Sequence, residues 1–77
     1  MFLGWFDDTP KKSVESKIEE AIERYKAKFG DIPNVCLVNA ADLAKYQDLD
    51  VRAVAYVRPN HFWIGRDDVP VAGVQAA

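Results

Sequence analysis

The alternation of apolar and polar positions divides this chain into short blocks, each with its own period. Residues 1–8, MFLGWFDD, are apolar as far as Phe6 and close on two acids, and they read as an apolar N-terminal arm. From Val14 the period becomes helical. Val14, Ile18, Ala21, Ile22, Tyr25 and Phe29 form one apolar stripe, with Glu15, Lys17, Glu19, Glu20, Glu23, Arg24, Lys26 and Lys28 filling the rest. This predicts a long amphipathic helix whose charged side is a solvated surface, with Glu20 and Arg24 as an i,i+4 pair in the favourable order. Two caps compete for its start: Thr9, with Pro10 at the first helical position, or Ser13. Gly30 stands where a glycine ends a helix, and Pro33 stops it from resuming.

Val35, Cys36, Leu37 and Val38 are an unbroken apolar run between turn formers, which predicts a strand covered on both faces. NAADLAKYQDLD reads as a short helix capped by Asn39, with Asp42 in its first turn, Leu43 and Tyr46 turned inward, and Asp48 and Asp50 in the exit loop. VRAVAYVR and HFWIGR then alternate on either side of Pro59-Asn60, a turn pair, and predict a β-hairpin. Proline cannot take the positive φ of a type I′ turn, so a turn wider than two residues stays open. Residues 67–77 hold Pro70 and Gly73 without a clear period and read as a partly ordered tail.

The expected fold is a single α+β domain over residues 1–77, in the order α-β-α-β-β. Its helix spans 9–29, and a three-stranded sheet with the short helix spans 34–66. The sheet ends in the C-terminal hairpin and carries the long helix on one face. The stretch between the first strand and the hairpin is long enough for a parallel crossover.

Strand alternation sorts the hairpin's side chains. With a two-residue turn, Arg58 faces His61, Val57 faces Phe62, Tyr56 faces Trp63 and Ala55 faces Ile64. One face then carries Val51, Ala53, Ala55, Val57, Phe62 and Ile64, wholly apolar and suited to the helix. The other collects Arg52, Val54, Tyr56, Arg58, His61 and Trp63. This face depends on register, since a one-residue slip would scramble it.

Composition narrows what such a face does. The chain has 77 residues, 49% hydrophobic and 29% charged, which is globular rather than disordered. A chain this short buries only about 60% of its unfolded surface, so a surface or inter-subunit site is favoured over a deep cleft. The net charge of −2 disfavours nucleic acid as the partner without excluding a local basic patch. One cysteine and one histidine give no disulfide and no zinc set, and no metal or cofactor is expected. The apolar start is too short to span a membrane and lacks the features of a secretory signal, so the expected setting is cytoplasmic. Cys36 reads as a buried small hydrophobe. His61 has no partner at a spacing that makes a catalytic pair, and no glycine-rich phosphate loop is present. The chain therefore reads as non-enzymatic.

Three roles compete for Arg52, Tyr56, Arg58, His61 and Trp63. The first is structural: a Tyr56–Trp63 cross-strand pair covered by the arm. The second is a contact with an unknown protein partner or with a second copy, with Phe2, Leu3, Trp5 and Phe6 as a second contact. The third is single-stranded nucleic acid, with bases on Tyr56 and Trp63 and phosphates on Arg52, Arg58 and Arg66. The second is the functional expectation and the third its alternative.

Overall fold

The computed structural model describes residues 2–67, so the tail expected over 67–77 lies outside the described residues beyond Asp67. Among these residues the order is β1 (Phe2–Phe6), α1 (Val14–Phe29), β2 (Val35–Val38), a single 3-10 turn (Ala40–Asp42), β3 (Asp50–Ala53) and β4 (His61–Gly65). The α+β class is as expected. The sheet has four strands rather than three, in the order β1-β4-β2-β3.

The helix starts at Ser13, not Thr9. Ser13 is extended and its Oγ accepts the backbone N–H of Ser16 at 3.1 Å, a cap worth about 1 kcal/mol. Thr9 is drawn away because both its N–H and its hydroxyl donate to Asp7, at 3.0 and 2.6 Å. Lys12 closes that loop with a 2.8 Å bond to Asp7 and a second contact to Glu20. Glu20 is thereby taken from Arg24, and the expected i,i+4 pair gives way to Lys12–Glu20. The bond from Lys12, helped by those from Thr9, holds the Asp7 carboxyl well below the usual carboxylate range. The same bond to Asp7, followed by Glu20, raises Lys12. At the other end Gly30 is left-handed, at φ 67°, and donates to the Lys26 carbonyl at 2.9 Å.

The arm is a strand. Phe2–Phe6 pairs antiparallel with β4, from Phe2 opposite Gly65 to Phe6 opposite His61. β2 pairs antiparallel with β4 and parallel with β3, so the residues between β2 and β3 form a parallel crossover, which the length of that stretch allows. Its helix is shorter than expected. Asn39 caps it, accepting from Ala41 N–H at 2.9 Å, but Leu43 is already extended and faces solvent. One turn is too short to turn Leu43 inward. Tyr46 does pack against the core, and Asp50 opens β3 instead of lying in the loop.

Pro59 and Asn60 make the expected chain reversal, with His61 N–H donating to the Arg58 carbonyl at 3.2 Å. The strands on either side of it are nevertheless not neighbours, because β2 lies between β3 and β4. β3 stops at Ala53, and residues 54–60 pass over the end of β2. Asn39 Nδ2 holds that passage by donating to the Val57 carbonyl at 2.9 Å, and Val57 is buried beneath it. Asn60, at φ 65°, ties the loop to three other elements. Its N–H donates to buried Asp42 at 2.7 Å, its carbonyl accepts from Asp7 N–H at 3.0 Å, and its Oδ1 accepts from Lys17 Nζ at 3.3 Å. Lys17 is therefore buried and not part of the solvated helix surface.

The core lies between α1 and one face of the sheet. Ile18, Ala21 and Tyr25 of the helix meet Cys36, Val38, Phe62 and Ile64, with Leu3, Trp5 and Val51 at the margin. The registers set these in two rows across the strands, Leu3–Ile64–Cys36–Val51 and Trp5–Phe62–Val38–Ala53.

Candidate functional site

The same registers fix the residues on the sheet's other face. One row crosses all four strands: Gly4, Trp63, Leu37 and Arg52. Phe2, opposite Gly65, lies beside it on one side, and the Phe6–His61 pair on the other. The described helix is on the opposite face, so these aromatic side chains are open to solvent. Tyr56 is 76% exposed, Phe6 54%, Trp63 45% and Phe2 38%. Phe2, Leu37, Tyr56 and Trp63 line an open, mainly apolar hollow of about 500 Å³.

The structure thus brings Tyr56 and Trp63 together as lining of one hollow, but by a different route from the one expected. Tyr56 lies in the 54–60 loop, not on a strand beside Trp63, because β3 ends before it. The predicted cross-strand pair is replaced by a loop residue and a strand residue facing the same space. Nor does the arm cover the face. As strand β1 it alternates, sending Leu3 and Trp5 to the helix side while Phe2 and Phe6 widen the open side.

The polar members are less concentrated. Arg52 shares the Trp63 row but lies on edge strand β3, where Nε donates to Asp50 at 2.7 Å and Asp67 lies 3.7 Å from its guanidinium. His61 packs against Phe6 with the rings tilted by 46° and their centroids 4.7 Å apart, and its Nδ1 lies 3.1 Å from the Pro59 carbonyl. Arg58 sits exposed in the loop before the turn. Arg66 is turned to the link between α1 and β2, donating to the Ile32 carbonyl at 2.6 Å and approaching Asp31. The five expected site residues therefore share a region without forming one cluster.

Leu37 was missed by the sequence reading. The apolar run that contains it signalled a doubly covered strand, whereas its register partner Trp63 places it on the open face. The strand nature of Phe2–Phe6 did have a local signal: three aromatic residues and a leucine among five positions, bounded by Asp7, Asp8 and Pro10.

Burial pushes the Cys36 thiol up to about 12, so at neutral pH it stays protonated and acts as an apolar core group. Tyr46 is also raised, chiefly by burial and secondarily by Glu19 and Glu23. Among the described residues no group of three or more His, Cys, Asp or Glu could hold a metal ion. No helix among them is long and apolar enough to cross a membrane. The chemistry available on the open face is apolar contact, ring stacking and a few peripheral charges. No family model, curated protein or solved structure matches the chain.

Proposed function

We propose that this chain is a non-enzymatic binding module whose open sheet face, centred on Trp63, takes a protein partner or a second copy of the chain. The observation that carries this reading is the hollow formed by Phe2, Leu37, Tyr56 and Trp63 on the helix-free side of the sheet. Trp and Tyr are the residues that most often dominate contact energies, and a hollow beside them gives a partner side chain a place to seat. Phe6 and His61 flank the Trp63 row, and Arg58 lies exposed in the 54–60 loop. The setting that fits is a reducing cytoplasm, in which the lone buried Cys36 remains a thiol.

Single-stranded nucleic acid is the second reading, since Tyr56 and Trp63 also offer stacking surfaces. It is the weaker one because Arg52 is already engaged by Asp50 and Asp67, and Arg66 by Asp31 and the Ile32 carbonyl. Two measurements separate the readings. Sedimentation equilibrium across a wide concentration range tests self-association. Titration of a labelled oligothymidylate at rising salt tests the nucleic-acid reading, whose affinity must fall steeply as counterions compete. Tight, salt-sensitive oligonucleotide binding lost in Trp63→Ala overturns the protein-contact reading.

A further inference from the structure

A second surface lies on the outer side of β1 and does not depend on the open face. β1 is the edge of the sheet, paired only with β4 among the described residues. Asp7 N–H donates inward to Asn60, and antiparallel backbone groups alternate in direction. It follows that Trp5 and Leu3 bond inward, while the N–H and C=O groups of Phe2, Gly4 and Phe6 point outward. Edge strands are usually protected by charge, proline or a bulge. The opposite edge, β3, carries Asp50 and Arg52. β1, with the sequence FLGWF, has no such protection.

Beside this edge runs a groove of about 390 Å³, lined by Leu3, Gly4, Trp5, Arg24, Ala27 and Lys28. Every polar side chain along it is a donor. The Arg24 guanidinium stands 5.4 Å over the Trp5 ring and Lys28 5.9 Å over Phe29. Among the described residues neither cation has an acidic partner, since Glu20 goes to Lys12 and Glu23 to Lys26. The Trp5 Nε1–H is buried without an acceptor. The local field thus asks for negative charge, next to a strand edge that asks for backbone partners.

We propose that this groove seats an extended acidic peptide of a partner protein, added to the sheet as a fifth strand along β1. The spacing suggests its pattern. Arg24 and Lys28 are one turn apart, about 6 Å along the helix. Alternate residues of a strand, which share a face, are about 6.6–6.8 Å apart. The spacing of an acid-x-acid segment matches that of the two cations. A second copy of β1 is the poorer occupant. Antiparallel pairing of two β1 edges about a two-fold axis would set the Arg24/Lys28 stripes of both helices side by side, with like charges facing.

The test is selection from a displayed library of random decapeptides against the full chain. The best peptide is then titrated into the wild type and into Arg24→Gln/Lys28→Gln, with amide and indole proton–nitrogen spectra recorded. The selected peptides should share acidic residues two positions apart. Binding should shift the Gly4 and Phe6 amides and the Trp5 indole, leave the Trp63 indole in place, and weaken at least tenfold in the double variant. That variant retains α1, and its amide spectrum verifies the fold. Failure to select peptides with this acidic pattern overturns the proposal, as does equal binding by the variant. Shifts centred on Trp63 and Tyr56 also overturn it and credit the open face instead. Sedimentation showing a dimer that protects the Gly4 and Phe6 amides gives the edge to a second copy.

Discussion

Trp63 folds its six-membered ring over Gly4 on the neighbouring strand. A β-carbon at residue 4 would sit 3.7 Å from Cη2, 3.8 Å from Cζ3 and 3.9 Å from Cζ2 of that ring. These are ordinary van der Waals distances, and Gly4 is not in the left-handed region. Glycine here gives the indole a bare surface to rest on, and the ring in turn shields backbone that glycine leaves uncovered.

Gly4→Ala should therefore be accepted. Removing a strand glycine lowers the entropy of the unfolded chain, so stability should rise by about 0.5–1 kcal/mol in urea unfolding. Gly4→Leu should push the ring off the strand and alter the hollow, lowering binding at the open face while the helix remains. A fall in stability for Gly4→Ala comparable to that of a core substitution would show that the Trp63 ring is held more tightly than these distances imply.

Adjacent residues on β4 should behave oppositely. Phe62 is fully buried against α1, whereas Trp63 faces away from it. Phe62→Ala should cost about 3–5 kcal/mol, enough to unfold much of so small a domain. Trp63→Ala should cost less than half of that. Equal losses in denaturant unfolding would mean that the open face belongs to the core.

That contrast also shows which parts of the fold were legible in the sequence. The helix, its glycine stop and its core stripe are local: Ile18, Ala21 and Tyr25 were named by spacing alone. The strand Val35–Val38 and the Pro59-Asn60 reversal were legible for the same reason. Strand partnership was not. Alternation in Val51–Arg58 identifies alternating faces, but it carries no information on whether the adjacent strand is β4 or β2. FLGWF hid its strand because it is apolar on both faces, and only pairing with β4 separates Leu3 and Trp5 from Phe2 and Phe6. Tyr56 and Trp63 were singled out by residue type, and both line the same hollow. Leu37 was lost because a continuous apolar run looks alike whether both faces are covered or one is open.

The loop after β1 should govern acid sensitivity. Asp7 is held below its ordinary value of 3.8 by Lys12 and Thr9, so the folded state binds its proton less readily than the unfolded state. Its contribution is complete above the unfolded value and is lost as pH falls through that value toward the folded one. Asp7→Asn should lower stability by a constant margin between pH 7 and pH 5, and the margin should shrink below about pH 4. Urea unfolding at a series of pH values checks this. A margin that persists unchanged to pH 2 would remove the Asp7–Lys12 bond from the account of stability.

The most direct test of the central claim is a paired capture from nuclease-treated lysate, with the wild-type chain and a Trp63→Ala chain of verified fold as baits. The open-face account predicts a protein, or the chain itself, retained by the wild type and lost or strongly reduced with Trp63→Ala. A truncated hot-spot anchor costs about 2 kcal/mol or more. Identical retention by both baits, with only the stability of the variant reduced, would contradict it and make Trp63 a structural residue.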